Sequence, residues 1–287
     1  MGGIEQLHRE FLSSAGACTD TRKLLPGGMF FALRGPNFDA NGFAAEALRQ
    51  GCSFAVVDDP KVATDERFIL VTDVLKALQD LARHHRRTFD IPFIGITGTN
   101  GKTTTKELVF AVLSADRPTL ATEGNLNNHI GVPLTLLKLK PEHRIAIIEM
   151  GASKLGDIAE LCAIAEPTHG LITNIGKAHL EGFGSVEGVI KTKTELYAWL
   201  RERQGLAFVH GDDALLMGKS DGIQRETYGI AAGNALSGRS KESGTPFLHV
   251  QVGGSNAATL CEVETHLIGD YNTQNVLAAI CMGRHFR

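Results

Sequence analysis

A short glycine-rich segment carries the clearest chemical signal in the chain. It follows an apolar run and reads Gly98-Thr99-Asn100-Gly101-Lys102-Thr103-Thr104. Backbone N–H groups of such a turn point at one spot and bind phosphate oxygens. We therefore predict a nucleotide site in which Lys102 reaches the β and γ phosphates and the Thr103 hydroxyl binds Mg²⁺. The full phosphate-loop pattern has glycine where Ile96 stands, so the alternative is a tight strand–helix turn without a ligand.

Polar residues also follow two other predicted strands. Glu149 ends one apolar run, and Asn174 and then His179 follow the next one. Ligands of parallel sheets bind at the carboxyl ends of the strands, so Glu149 is predicted to serve Mg²⁺. The alternative is an acid at the sheet end that faces solvent. Lys191 and Lys193 lie about one helix further along the chain.

The elements that must position these residues alternate between strands and helices. The predicted strands are 93–97, 144–150, 170–175 and 206–210, and the predicted helices are 102–114, 157–165, 185–203 and one from about 272. Continuous apolar strands suit a sheet that is buried on both faces. The alternation predicts an α/β fold with a mostly parallel, doubly wound sheet. Residues 223–268 are predicted to add a smaller region of short strands.

A smaller α/β domain is predicted for residues 1–87, ahead of a central domain over 88–287. It has predicted strands at 29–33 and 54–57 and helices at 39–50 and 73–87. The basic run 83–87 is expected to be a solvated helix end, which suits basic residues. The sequence Asp90-Ile91-Pro92 then interrupts the pattern.

Composition excludes several classes of protein. The 287 residues predict about two domains, and 43% hydrophobic with 21% charged residues is typical of globular chains. The net charge of −3 argues against a nucleic-acid-binding role. The 5 cysteines form no CxxC pair and are expected to be reduced. The absence of a signal pattern or an apolar span predicts a cytoplasmic protein.

The chain resembles the Mur ligases, the ATP-dependent amide-bond formers of peptidoglycan synthesis. The residues that carry the resemblance are 98–107, 124–137, 149–152, 174–185 and 269–279, with 20–22 and 26–35 in the first domain. The resemblance covers essentially the whole chain and implies that the first domain binds a UDP-muramyl peptide and the central domain binds ATP. The motifs Gly124-Asn125-Leu126-Asn127-Asn128 and Glu149-Met150-Gly151 resemble the member that joins D-alanyl-D-alanine to UDP-N-acetylmuramoyl-tripeptide.

The resemblance implies a reaction through an acyl phosphate, with two Mg²⁺ ions that neutralise the moving charge. The implied ATP-binding residues are Gly98, Thr99, Asn100, Gly101, Lys102, Thr103 and Thr104, with Asn275 on the adenine. The implied catalytic residues are Lys102, Glu149, His179 and Lys193, and the implied metal ligands are Thr103, Glu149, His179 and Lys193. The implied substrate-binding residues are Thr21, Arg22, Asn125, Asn127 and Asn128.

One lysine of this family is carbamylated by CO₂, and the resemblance assigns that role to Lys193. A carbamate turns the ammonium into a carboxylate-like metal ligand. The alternative is an ordinary ammonium that pairs with Glu195 or Glu149, while Lys191 is expected to be solvated.

The resemblance further implies a third domain that binds D-alanyl-D-alanine. This chain is expected to stop before it, to be monomeric and to be unable to turn over alone. Two other functions stay open. A ligase of the folylpolyglutamate or cyanophycin synthetase type shares the phosphate segment but leaves the first 85 residues unexplained. A non-catalytic nucleotide-binding module is the other alternative.

Overall fold

The computed structural model describes residues 3–176, 180–254 and 259–287. The α-helices are α1 Ile4–Leu12, α2 Ala44–Arg49, α3 Val74–Arg87, α4 Lys102–Ser114, α5 Gly131–Leu136, α6 Asp157–Ala165, α7 Leu180–Phe183, α8 Val186–Glu202, α9 Ala214–Lys219 and α10 Thr273–His285. Short 3₁₀ helices cover Thr21–Lys23, Ala40–Phe43 and Asp270–Asn272. In the part of the chain that is described, no helix is both long and apolar enough to cross a bilayer.

The strands fall into three sheets. They are β1 Ala17–Cys18, β2 Met29–Phe31, β3 Arg34–Gly35, β4 Phe38–Asp39, β5 Phe54–Val57, β6 Phe68–Leu70, β7 Phe93–Thr97, β8 Thr119–Ala121, β9 Ile145–Glu149, β10 His169–Ile172, β11 Leu206–His210, β12 Gln224–Gly229, β13 Leu236–Lys241, β14 His249–Gly254 and β15 Thr259–Glu264. The pair β3–β4 forms a small antiparallel ribbon.

The first compact unit comprises Met1–Asp90 together with His129–Pro141. Its sheet has the order β1-β2-β5-β6, with every neighbouring pair parallel. Helix α5 packs against α3, which explains why residues 129–141 belong to this unit. The sequence analysis had assigned that segment to the central domain.

The end of helix α3 differs from the expectation of a solvated terminus. His85 is only 4% exposed, because its ring packs inside the first unit. Its Nδ1 shares a 3.0 Å hydrogen bond with Nε2 of His8, and its Nε2 lies 3.1 Å from the Leu139 carbonyl. The expectation of a solvated helix end is therefore wrong at His85, which has a structural role.

The second unit, Ile91–Asn128 and Glu142–Arg287, is built on a large sheet. Over the described residues its strand order is β15-β14-β13-β12-β11-β10-β7-β9-β8. The strands from β8 to β13 run parallel, and β14 and β15 add an antiparallel edge. The predicted α/β class with a mostly parallel sheet is confirmed. The predicted smaller β region, residues 223–268, continues this sheet.

Helices cover both faces of the large sheet, as its apolar strands require. Every residue of β7 and β9 is buried. Ile94 and Ile96 of β7 share one apolar cluster with α4 and α10. On the opposite face, a Cβ on Gly95 would lie 3.3 Å from Leu196 of α8. This double cover leaves the carboxyl ends of the strands as the edge where polar side chains collect.

Candidate functional site

The turn between β7 and α4 requires glycine at two positions. Gly98 has φ +143° and Gly101 has φ +76°, both in the region that favours glycine. A Cβ on Gly98 would lie 2.0 Å from Thr173 Oγ1, so no other residue fits there without moving the chain. The turn leads directly into α4, whose first residue is Lys102. This is the strand–turn–helix geometry that the phosphate-site prediction requires.

Lys102 folds its side chain back over the turn. Its Nζ donates hydrogen bonds to the carbonyls of Gly98, at 3.0 Å, and Thr99, at 3.1 Å. Burial lowers the pKa of this amine, and the nearby Glu149 charge partly offsets that effect. The amine therefore lies against the backbone of the turn, within reach of the Glu149 charge.

Glu149 lies at the end of β9, beside the start of α4. Its Oε1 accepts hydrogen bonds from Asn127 Nδ2 at 2.8 Å and Thr103 Oγ1 at 3.3 Å. The side chain is buried at 1% exposure and does not face solvent. Among the described residues, its Oε2 has no hydrogen-bond partner. An unpaired buried carboxylate oxygen is costly, so this position fits a cation.

The predicted metal ligands are only partly brought together. Thr103 and Glu149 are in contact, but His179 lies outside the described residues. Over residues 3–176, 180–254 and 259–287, no three His, Cys, Asp or Glu side chains form a cluster suited to a metal. The Thr103 hydroxyl and the free Glu149 oxygen are oxygen donors, which Mg²⁺ prefers.

Lys193 is buried in α8, with an exposure of 3%. Burial, and then the positive charge of Lys102, lowers the pKa of its amine to about 8. The amine lies 5.7 Å from the ring centre of Phe183. Lys191 is exposed, as expected.

Glu195, the proposed ion-pair partner of Lys193, is engaged elsewhere. Its two carboxylate oxygens accept the N–H groups of Gly156, at 3.1 Å, and Ala159, at 2.9 Å. It thereby caps the first turn of α6. The Glu195 charge still acts to raise the pKa of Lys193, but burial and the Lys102 charge outweigh it, and the hydrogen bonds of Glu195 go to α6.

Asn275 connects α10 to the phosphate segment. Its Oδ1 accepts from Thr105 Oγ1 at 3.0 Å, and its Nδ2 donates to Asn272 Oδ1 at 2.9 Å. A Cβ on Gly101 would lie 3.1 Å from Asn275 Oδ1. Its role in adenine recognition stays a prediction.

The asparagines at 125, 127 and 128 differ in their surroundings. Asn127 is half-buried, and its side-chain amide donates a hydrogen bond to Glu149. Its backbone carbonyl accepts a hydrogen bond from Gly151 N–H at 2.7 Å. Asn125 and Asn128 are exposed. Asn127 therefore orients the Glu149 carboxylate, a contact that the sequence analysis did not foresee.

In the first unit, Arg22 forms a bidentate salt bridge with Asp20. Its Nε and Nη2 donate to the two Asp20 oxygens at 2.9 and 2.8 Å. These bonds lower the pKa of Asp20 to about 2 and raise that of Arg22. Asp20 also caps the 3₁₀ helix that contains Thr21. The Arg22 side chain is 85% exposed, so this pairing leaves the surface open to a ligand.

A polar pair after β10 completes the site, and the sequence analysis gave it no role. Thr173 Oγ1 donates to the Asn100 carbonyl at 2.7 Å, and Asn174 bonds the same residue through its side chain. The available signal was their position at the carboxyl end of a strand next to β7.

Comparison with known proteins agrees with this geometry. The family described as Mur ligase middle domain matches residues 96–283. The UDP-N-acetylmuramoyl-tripeptide–D-alanyl-D-alanine ligase of Synechocystis sp. is 41% identical over 273 residues, covering 93% of this chain and 57% of that protein. The protein of the same name in Bacillus subtilis is 36% identical, covering 94% and 58%.

Two solved structures have the same fold over nearly the whole chain. MurF from Acinetobacter baumannii has a TM-score of 0.85 at 31% identity, covering 99% of this chain and 64% of that one. The MurF ligase of Thermotoga maritima, solved in complex with ADP, has a TM-score of 0.84 at 29% identity, covering 96% and 64%. This chain thus spans less than two thirds of the length of these relatives.

Proposed function

Because this chain belongs to the Mur ligase family, we propose that it forms the nucleotide-binding and UDP-substrate-binding part of an ATP-dependent amide ligase. The ligase would join D-alanyl-D-alanine to UDP-N-acetylmuramoyl-tripeptide. The Synechocystis and Bacillus subtilis relatives, which are named for this reaction, match more than nine tenths of the chain. This similarity supports the choice of this ligase within the family.

One observation carries the proposal. The buried Glu149 carboxylate lies directly beside the phosphate turn. One of its oxygens accepts a hydrogen bond from the Thr103 hydroxyl, and the other has no partner among the described residues. A nucleoside triphosphate with Mg²⁺ supplies both an anion that the turn can bind and a cation that can pair with this oxygen. When bound, the ion supplies charge neutralisation for phosphoryl transfer.

The reaction has two steps. An oxygen of the tripeptide carboxylate bonds to the γ phosphorus of ATP, the bond to the bridging oxygen breaks, and ADP leaves. The amine nitrogen of D-alanyl-D-alanine then bonds to the acyl carbon, phosphate leaves with the electron pair of the broken C–O bond, and the nitrogen loses a proton.

The residues of this chain have separate roles in the proposal. The backbone N–H groups of residues 101–103, at the start of α4, and the Lys102 amine hold the phosphates, because a charged donor on a phosphate oxygen makes a strong hydrogen bond. Asn127 keeps the Glu149 carboxylate in place. Asn275 contacts the adenine, and His179 completes the metal ligands.

The first unit is proposed to bind the UDP part of the substrate through Thr21 and Arg22. The exposed Arg22 guanidinium has a planar fork of donors that suits a diphosphate. Binding requires Arg22 to exchange, at least partly, its pair with Asp20. Asn125 and Asn128, both exposed, are proposed to contact the remainder of the substrate.

Lys193 is proposed to carry a carbamate in the active enzyme. A lowered pKa favours this modification, because only a neutral amine attacks the carbon of CO₂ and then releases a proton. In ¹³CO₂-saturated buffer we expect a carbamate carbon signal that Lys193→Ala lacks. Lys191→Ala, at an exposed position, is the control and should retain the signal. Loss of the signal in Lys191→Ala alone would show that the carbamate is on Lys191 and would contradict the proposal for Lys193.

Ligand-dependent melting tests the function. We expect ATP with Mg²⁺, and separately UDP-N-acetylmuramoyl-tripeptide, to raise the melting temperature, because ligands that bind only the folded state stabilise it. A folate with ATP is the control for the folylpolyglutamate-type alternative. A shift by ATP and folate but none by the UDP-muramyl peptide would contradict the proposal, and a shift by ATP alone would favour a nucleotide-binding module.

A further inference from the structure

The tip of the phosphate segment is held from a neighbouring strand by one side chain. Asn100 N–H donates to Asn174 Oδ1 at 3.0 Å, and Asn174 Nδ2 donates to the Asn100 carbonyl at 2.9 Å. The Asn174 amide therefore bonds the backbone of Asn100 in both directions. An asparagine amide has one acceptor and one donor group in a single plane, which matches this arrangement.

Further bonds join the same two segments. Thr173 Oγ1 donates to the Asn100 carbonyl at 2.7 Å. Thr99 N–H donates to the Asn174 carbonyl at 2.9 Å, and Gly176 N–H donates to Thr99 Oγ1 at 2.9 Å. The backbone of Gly98 lies so close to Thr173 that a Cβ would clash with it. Residues 173–176 thus hold the N–H groups of Thr99 and Asn100, the Asn100 carbonyl and the Thr99 hydroxyl.

We propose that Asn174 is a positioning residue for the nucleotide phosphates. Its amide holds the turn at Asn100 in the phosphate-binding conformation before the nucleotide arrives. A glycine-rich turn without such bonds samples many conformations and must be ordered when the ligand binds, which weakens binding. The identity of the ligand rests on the proposed function, whereas the bonds to Asn100 do not.

Position favours Asn174 over the other members of this set. Thr173 reaches only the carbonyl of Asn100. The bond from Thr99 N–H to the Asn174 carbonyl uses backbone atoms alone, and the bond from Gly176 N–H reaches the Thr99 hydroxyl and not Asn100. Asn174→Ala deletes one donor and one acceptor at once and leaves the strand β10 intact, because the residue follows the strand.

Hydrogen exchange in the absence of nucleotide is the first arm of the test. The Asn100 amide should exchange at least about tenfold faster in Asn174→Ala than in wild type, since a hydrogen bond that protects it is lost. Thr173→Val, which keeps the side-chain shape, should leave this amide protected. The exposed Asn37→Ala is the matched control and should match wild type.

Binding of ADP and of adenosine, each measured by calorimetry, is the second arm. Asn174→Ala should weaken ADP binding by about tenfold and leave adenosine binding unchanged, because the bonds act only on the phosphate turn. Thr173→Val should show a smaller loss for ADP and serves as the second variant if Asn174→Ala folds poorly. Equal losses for ADP and adenosine, or unchanged exchange at Asn100, would overturn the proposal. Wild-type protein that binds no ADP would instead overturn the proposed function.

Discussion

Lys193 is the residue whose surroundings most change its chemistry. It lies on the same helix as Lys191, but one side chain is buried and the other is exposed. Burial and the charge of Lys102 lower the pKa of Lys193 to about 8. The spacing in the sequence could separate the two lysines, but the burial that decides their chemistry comes from α8 packing against the sheet.

The pH dependence of stability follows from this lowered pKa. The group has a pKa of about 8 when folded and near 10.5 when unfolded, so between these values the unfolded chain binds more protons. The free energy of unfolding should therefore rise from about pH 8 to about pH 10.5. Urea unfolding in CO₂-free buffer should show a shallower rise in Lys193→Met, whereas Lys191→Met should follow wild type. If the free energy of unfolding depends on pH in the same way in Lys193→Met and in wild type, the pKa of the Lys193 amine is not lowered in the folded protein.

Glu149 gives a second prediction at the residue scale. One buried oxygen of the carboxylate has no partner among the described residues, so Mg²⁺ should stabilise the wild-type protein in the presence of ADP. Glu149→Gln removes the negative charge and should lose most of the Mg²⁺-dependent rise in melting temperature. The exposed Glu142→Gln is the control. An equal rise in all three proteins would place the ion elsewhere.

At the scale of elements, the buried strands of the large sheet are predictable and the contacts between loops are not. The continuous apolar runs of β7 and β9 locate both strands, because a strand covered on two faces needs no alternation. Helix α5 has only 6 residues and contains Pro133, so it lacks a helical period long enough to detect. The sequence also placed Thr103 and Glu149 at one edge. It could not show that Asn127, Asn174 and Glu195 bond partners 22 to 74 residues away.

Glu195 supports a prediction about such a contact. Its carboxylate accepts two N–H groups at the start of α6, so Glu195→Ala should destabilise the protein by about 1–2 kcal/mol, as the loss of a helix cap does. Chemical unfolding provides the measurement. Glu202→Ala on the same helix, where the carboxylate pairs with Arg203 at the surface, should cost less than about 1 kcal/mol. Equal effects of the two substitutions would contradict the capping role.

At the scale of the whole molecule, the chain combines one unit with a parallel sheet and a second unit with a mostly parallel sheet. The division into two domains near residue 90 was predicted from the sequence, because Asp90-Ile91-Pro92 interrupts the periodic pattern of apolar residues. No local pattern in residues 129–141 indicates that this segment belongs with the first unit. That assignment depends on the packing of α5 against α3, a contact between segments about 50 residues apart.

The central claim is that the turn at 98–103 holds the phosphates of ATP, and a titration of ATP with Mg²⁺ tests it most directly. Calorimetry of wild type and Lys102→Ala should show ATP affinity about 10–100-fold lower in the variant, since a charged hydrogen bond to the phosphates is lost. Lys191→Ala should bind ATP as wild type does. Equal ATP affinity in Lys102→Ala and wild type would contradict the phosphate site and, with it, the ligase account.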